Sequence, residues 1–159
     1  MLELMAVIVI IGILSALAYA GLMEMIFTNR AKETAQTMRV FAERALAEGK
    51  RQSKSVEISL KNNDIVYSID NKVTSREPLS KGFTPGNANP NCVQSEDALT
   101  NFNDGETSEF KIGISGMTTP GYFAACDTKG YCAAAVKIKS NNYFIACIRR
   151  GASAGWEAL

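Results

Sequence analysis

The sequence predicts an α+β protein: a long N-terminal helix, apolar along its first half and amphipathic along its second, packed on an antiparallel β-sheet. Three observations carry this reading. No charged residue lies between Glu3 and Glu24. Apolar residues then recur at three- and four-residue spacing as far as Leu46. From Ser55 onward the period falls to two.

The run Leu4 to Met23, LMAVIVIIGILSALAYAGLM, spans roughly 30 Å at the helical rise, the thickness of a bilayer's hydrocarbon core. A secretory signal peptide would put basic residues ahead of the apolar run and a small-residue cleavage site after it. Here Met1, Leu2 and Glu3 lead, and Arg30 is the first basic residue, so the segment reads as retained. Residues 1–24 are expected to form an apolar transmembrane half, and residues 25–159 the globular head.

Within the head, residues 25–52 continue the helix. Phe27, Ala31, Ala35, Met38, Ala42, Ala45 and Leu46 mark one apolar face, with Arg30, Lys32, Glu33, Arg39, Glu43, Arg44 and Glu48 mostly opposite. Arg39–Glu43 and Arg44–Glu48 have the spacing of helical ion pairs. Gly49 and the polar run Lys50 to Ser55 predict the stop. Residues 55–150 carry the sheet. Val56, Ile58 and Leu60 lead through a Lys61–Asp64 turn into Ile65–Ile69, a first hairpin. Residues 70–108, rich in Asn, Ser, Pro and Gly, read as a long surface loop. Phe110–Ile114, Tyr122–Cys126, Cys132–Lys139 and Tyr143–Arg149 read as further strands, the last three joined by turns at 127–130 and 140–142. Residues 151–159 read as a tail of small residues around Trp156. A sheet with one apolar face needs a cover, and the amphipathic half-helix is the element available.

The composition excludes several functions. The 159 residues make one domain, and a net charge of +1 sets up no field that would draw in nucleic acid. The absence of histidine removes the commonest general base and zinc ligand, and no nucleophile elbow or P-loop is present, so no catalytic residues are assigned. Four cysteines without a C-x-x-C pair predict disulfides in an oxidising compartment. Cys126 and Cys132 flank a tight turn and are expected to pair, which leaves Cys92 with Cys147. Three connectivities are open to four cysteines, and Cys92–Cys126 with Cys132–Cys147 is the chief competitor. Asp64, Asp70, Glu96, Asp97, Asp104 and Glu106 fall in loops. The run Asn101 to Glu106 loosely resembles a calcium loop but fails the EF-hand spacing, so neither a metal nor a cofactor is expected. Tyr122, Phe123, Tyr131, Tyr143, Phe144 and Trp156 read as core or cross-strand aromatics rather than a nucleic-acid stacking surface.

Glu3 is a carboxylate at the edge of an apolar helix, a costly placement that is a functional hypothesis in its own right. The whole string MLELMAVIVIIGILSALA resembles the N-terminus of type IV pilins and type II secretion pseudopilins. Their mature chains begin Phe-Thr-Leu-x-Glu-Leu and continue as a long apolar run. Glu3 matches the family's glutamate and Gly12 the glycine nine residues after it. The family glutamate is the fifth mature residue, so the resemblance implies a leader and two further residues upstream. The family's common proline falls at Ala20, where this chain departs from the pattern.

The resemblance implies a pilin-like fold and a non-enzymatic, structural role. Such a subunit waits in the bacterial inner membrane with its head in the periplasm, is processed by a prepilin peptidase, and polymerises with identical copies into an extracellular pilus. Glu3 would then be the assembly residue, paired with the N-terminal amine of a neighbouring subunit. Gly12 and Gly21 would either allow close helix packing or bound a locally unwound stretch. A minor pilin or secretion pseudopilin that primes or tips a filament is the alternative within the same family. A membrane-anchored adhesin or enzyme is the alternative outside it.

Overall fold

The structure, a computed structural model of the chain, describes residues 2–86, 88–93, 100–101, 110–112, 121–137 and 144–159; the side chains of 2–4, 18, 20, 100–101 and 110–112 are not among those described. Helix α1, Leu2–Gln52, is followed by β1 (Val56–Lys61), β2 (Asp64–Ile69), β3 (Lys72–Pro78), β4 (Thr84–Pro85) and β5 (Thr100–Asn101). The chain continues through β6 (Phe110–Ile112), β7 (Gly121–Cys126), β8 (Cys132–Lys137), β9 (Phe144–Arg149) and β10 (Trp156–Ala158).

Helix α1 is unbroken through both Gly12 and Gly21, so this chain shows no unwound stretch between them. Without a proline at position 20, every backbone N–H there keeps its helical partner. The helix ends three residues beyond Gly49. Ser53 adopts the left-handed conformation (φ 52°), Ser53 N donates to Lys50 O at 3.2 Å, and Lys54 N donates to Gly49 O at 3.0 Å. That pair of bonds is the Schellman arrangement, with serine where glycine is usual. Gly49 is therefore inside the last turn rather than past it. Glu48 pairs with Arg51 at 2.6 Å instead of Arg44, while the expected Arg39–Glu43 pair forms at 3.2 Å.

The strands divide into two sheets instead of the single one expected. The first has the order β3-β2-β1-β6, and the second β10-β9-β8-β7-β4, with β5 pairing in parallel to the other end of β7. β3 lies in the stretch read as loop. A two-residue turn, Asp70-Asn71, with φ of 52° and 61°, folds β3 back on β2. The strand is an exposed edge whose residues Lys72, Thr74, Arg76 and Glu77 give no apolar alternation to read. Beyond it, Leu79 and Phe83 are buried in the core, so this region is tied down rather than a free surface loop. Residues 94–99 and 102–109, with Glu96, Asp97, Asp104, Glu106 and all of the calcium-like run but Asn101, lie outside the described residues, as do Ile114, Tyr143 and the turn at 140–142.

The second sheet is buried on both faces, a correction to the expectation of one apolar face. Ala133 and Ala135 of β8 face the cluster containing Ala31, Ala35, Met38, Ala42 and Ala45 of α1. Tyr122, Ala124, Ala134, Val136 and Cys147 face the other way, under Ala88, Cys92, Val93 and Trp156. Double burial explains why β7 to β9 read as near-continuous apolar runs. Small residues on both partners let the helix lie close against β8 and β9. Phe41, absent from the expected apolar face, is buried against Tyr67 of β2 with ring centroids 5.3 Å apart.

Two disulfides tie the second sheet. Cys126–Cys132 closes the β7–β8 hairpin, and Cys92–Cys147 pins the segment after β4 to β9. The last residues also form structure: β10 pairs with β9, and Trp156 stands opposite Arg149, whose guanidinium carbon lies 5.7 Å from the indole centroid. Trp156 is the only apolar anchor of that three-residue strand, which is why alternation did not reveal it.

Candidate functional site

The head covers one face of α1 from Ile26 onward and leaves the described side chains from Met5 to Leu22 open. From Met5 to Leu22 the large apolar side chains stand in the open, with Met5 and Leu17 each 72% exposed. Exposed contiguous apolar surface of this extent marks a membrane or protein contact. The helix is long and apolar enough to cross a membrane, and its most apolar window is wholly unburied by the rest of the chain. A core helix of a soluble protein would be covered; this one projects.

The sequence-predicted assembly residues all map to this projecting half. Glu3 lies in the first turn of α1, with its side chain outside those described. A Cβ built on Gly12 or Gly21 meets nothing within 4 Å, so both glycines are notches in an open surface. Ser15, Leu17, Tyr19, Leu22 and Met25 surround Gly21 and frame a shallow groove of about 590 Å³. Small residues of this kind let helices approach closely in an apolar medium.

The junction of stalk and head is built around Phe27. The Tyr131 ring stacks on it with centroids 5.5 Å apart, Lys129 Nζ lies 4.1 Å from its centroid, and Arg30 Cζ lies 5.9 Å away. The turn that brings Lys129 there is tightly specified. Asp127 Oδ1 accepts from Lys129 N (2.9 Å) and Tyr131 N (2.8 Å), and Asp127 N donates to Tyr131 O. Gly130 has φ 86° and its Cβ position lies 2.8 Å from Ala152 N, so only glycine fits.

A second concavity, of about 550 Å³, runs along the flank of α1 past Lys32, Gln36, Val40, Arg44 and Glu77. Its charges alternate in sign and no nucleophile is paired with a base in it. Among the described residues, no three His, Cys, Asp or Glu side chains gather closely enough to hold a metal. Tyr122, Phe123 and Phe144 are buried in the core, and Tyr131 and Trp156 are half-buried against neighbours; these five build no open stacking face.

The chain shows no significant match to any protein-family model, curated protein or solved structure. The structure shows an α+β head on a projecting apolar helix.

Sequence reasoning missed the junction cluster. Phe27 was read as the start of the apolar face, and nothing in the local pattern of Asp127 to Tyr131 shows that the turn reaches the helix. The disulfide spacing Cys126–Cys132 was the one signal that this turn is a rigid hairpin tip.

Proposed function

We propose that this chain is a structural subunit of a type IV pilus-like filament, held in the inner membrane by its apolar half-helix and then polymerised through it. The observation that carries the reading is the continuity of α1. One helix supplies both the core of the head and an apolar rod whose described side chains from Met5 to Leu22 the head leaves exposed. In a membrane the rod is satisfied by lipid. In a filament the same side chains are satisfied by the rods of neighbouring copies.

A heterologous contact that does not close on itself generates an open helical assembly. The notches at Gly12 and Gly21, with Ser15 and Ala16, permit the close approach that such bundling needs. The resemblance of MLELMAVIVIIGILSALA to the pilin and pseudopilin N-terminus supports the same reading. In that reading Glu3 pairs with the N-terminal amine of the next subunit, because an unpaired buried charge costs several kcal/mol.

Glu3→Val tests the pairing. The variant is expected to stay folded and membrane-held while filaments disappear from the cell surface. Wild-type filament yield from Glu3→Val would refute it.

A further inference from the structure

We propose that the β7–β8 turn and the adjoining face of α1 form a collar that binds the headgroup phosphates of anionic phospholipids, seating the head on the membrane before assembly. The inference rests on the membrane-held state proposed above.

The apolar run ends at Met23, and Phe27 lies about 6 Å further along the helix axis. The headgroup layer on each side of a bilayer is about 5 to 7 Å deep. Phe27 therefore falls within that layer when the run Leu4–Met23 fills the hydrocarbon core. Aromatic rings concentrate at this depth. Here the ring carries two cations: Lys129 Nζ 4.1 Å and Arg30 Cζ 5.9 Å from its centroid.

Neither Lys129 nor Arg30 has a carboxylate within ion-pair distance among the described residues. Lys129 and Thr128 are exposed at the tip of the turn. Side chains on a helix lean toward its N-terminus, which for Arg30 is the membrane side. Two acidic groups flank the collar. Asp127 turns one oxygen onto the Lys129 and Tyr131 amides, and Glu24, closer to the apolar run, is exposed. The Cys126–Cys132 bond and the Asp127 hydrogen bonds fix the turn that carries Lys129 to the same ring that Arg30 meets, so that one phosphate can draw on both cations.

The test uses the full chain in vesicles of equimolar phosphatidylglycerol and phosphatidylcholine, with photoreactive p-benzoylphenylalanine placed at Thr128. A control places it at Lys72, beside the Lys54–Asp70 pair at the far end of the helix. Resistance to alkaline extraction reports insertion separately, and mass spectrometry reads the lipid adducts. The expected result is adducts at 128 and not at 72, enriched in phosphatidylglycerol. Lys129→Gln is expected to lower that enrichment about fivefold, with Lys129→Arg retaining it. An inserted chain with no adduct at 128, or with both lipids labelled equally, overturns the collar and leaves the anchor standing. A chain that is extracted overturns both.

Discussion

Gly49 is pressed against Val56. A Cβ at Gly49 would collide with the Val56 Cγ2 methyl and would also lie 3.2 Å from Lys54 O. The last turn of α1 and the first residue of β1 thus touch across the reversal that joins helix to sheet. Glycine is there for the space it leaves, not for a left-handed backbone.

Two effects of opposite sign meet at this position. Alanine gains about 1 kcal/mol of helix propensity over glycine. Overpacking a fixed backbone and a β-branched side chain costs about 1 to 3 kcal/mol. Because Val56 is buried and cannot swing away, the second is expected to win. Gly49→Ala should lower the denaturation midpoint of the full chain in detergent. An unchanged or raised midpoint would mean that the helix end shifts freely.

The two disulfides should differ in their contribution. Cys92–Cys147 closes a separation of 55 residues and Cys126–Cys132 one of 6. In the chain-entropy model these correspond to about 4 and about 2 kcal/mol. Cys92→Ser with Cys147→Ser is therefore expected to cost more stability than Cys126→Ser with Cys132→Ser, measured by denaturant unfolding. The reverse order would show that the hairpin bond acts through the native junction at Phe27 rather than through the unfolded chain.

Lys137 is wholly buried, on the helix-facing side of β8 by strand alternation. Burial foremost, and then the charge of Lys50, push its ammonium below the ordinary lysine value of 10.5. Between its depressed native value and 10.5 the unfolded chain holds more protons than the folded one. Stability accordingly rises with pH through that window and is lower on its acid side. Denaturant midpoints should climb as the medium is taken from neutral toward pH 10.5, and Lys137→Met should flatten that climb. An equal slope in both proteins would remove Lys137 as its source.

Much of this architecture was legible in the residues, for identifiable reasons. The apolar run and the Ala31–Leu46 face announce one long helix because a period of 3.6 survives any tertiary arrangement. Strand β3 was hidden because Lys72, Thr74, Arg76 and Glu77 form an exposed edge with no buried face, so only the Asp70-Asn71 turn betrayed it. The division into two sheets was not readable, since pairing is settled by contacts far apart in sequence. The two-sided burial of β8 depends on the segment carrying Cys92, which looked like solvated loop. The projecting half of α1 was recognisable from composition. The Phe27–Lys129 contact joins residues about a hundred positions apart and needed the fold.

In the proposed filament the exposed half of α1 is buried by copies of itself. Intact-mass spectrometry of filaments sheared from the cell surface tests this burial. In the proposed filament this chain dominates the sheared fraction, extended at its N-terminus by two residues, the first of them methylated, and lighter by the four hydrogens that its two disulfides remove. A sheared fraction that lacks the chain, with the protein remaining entirely in the membranes, would contradict it.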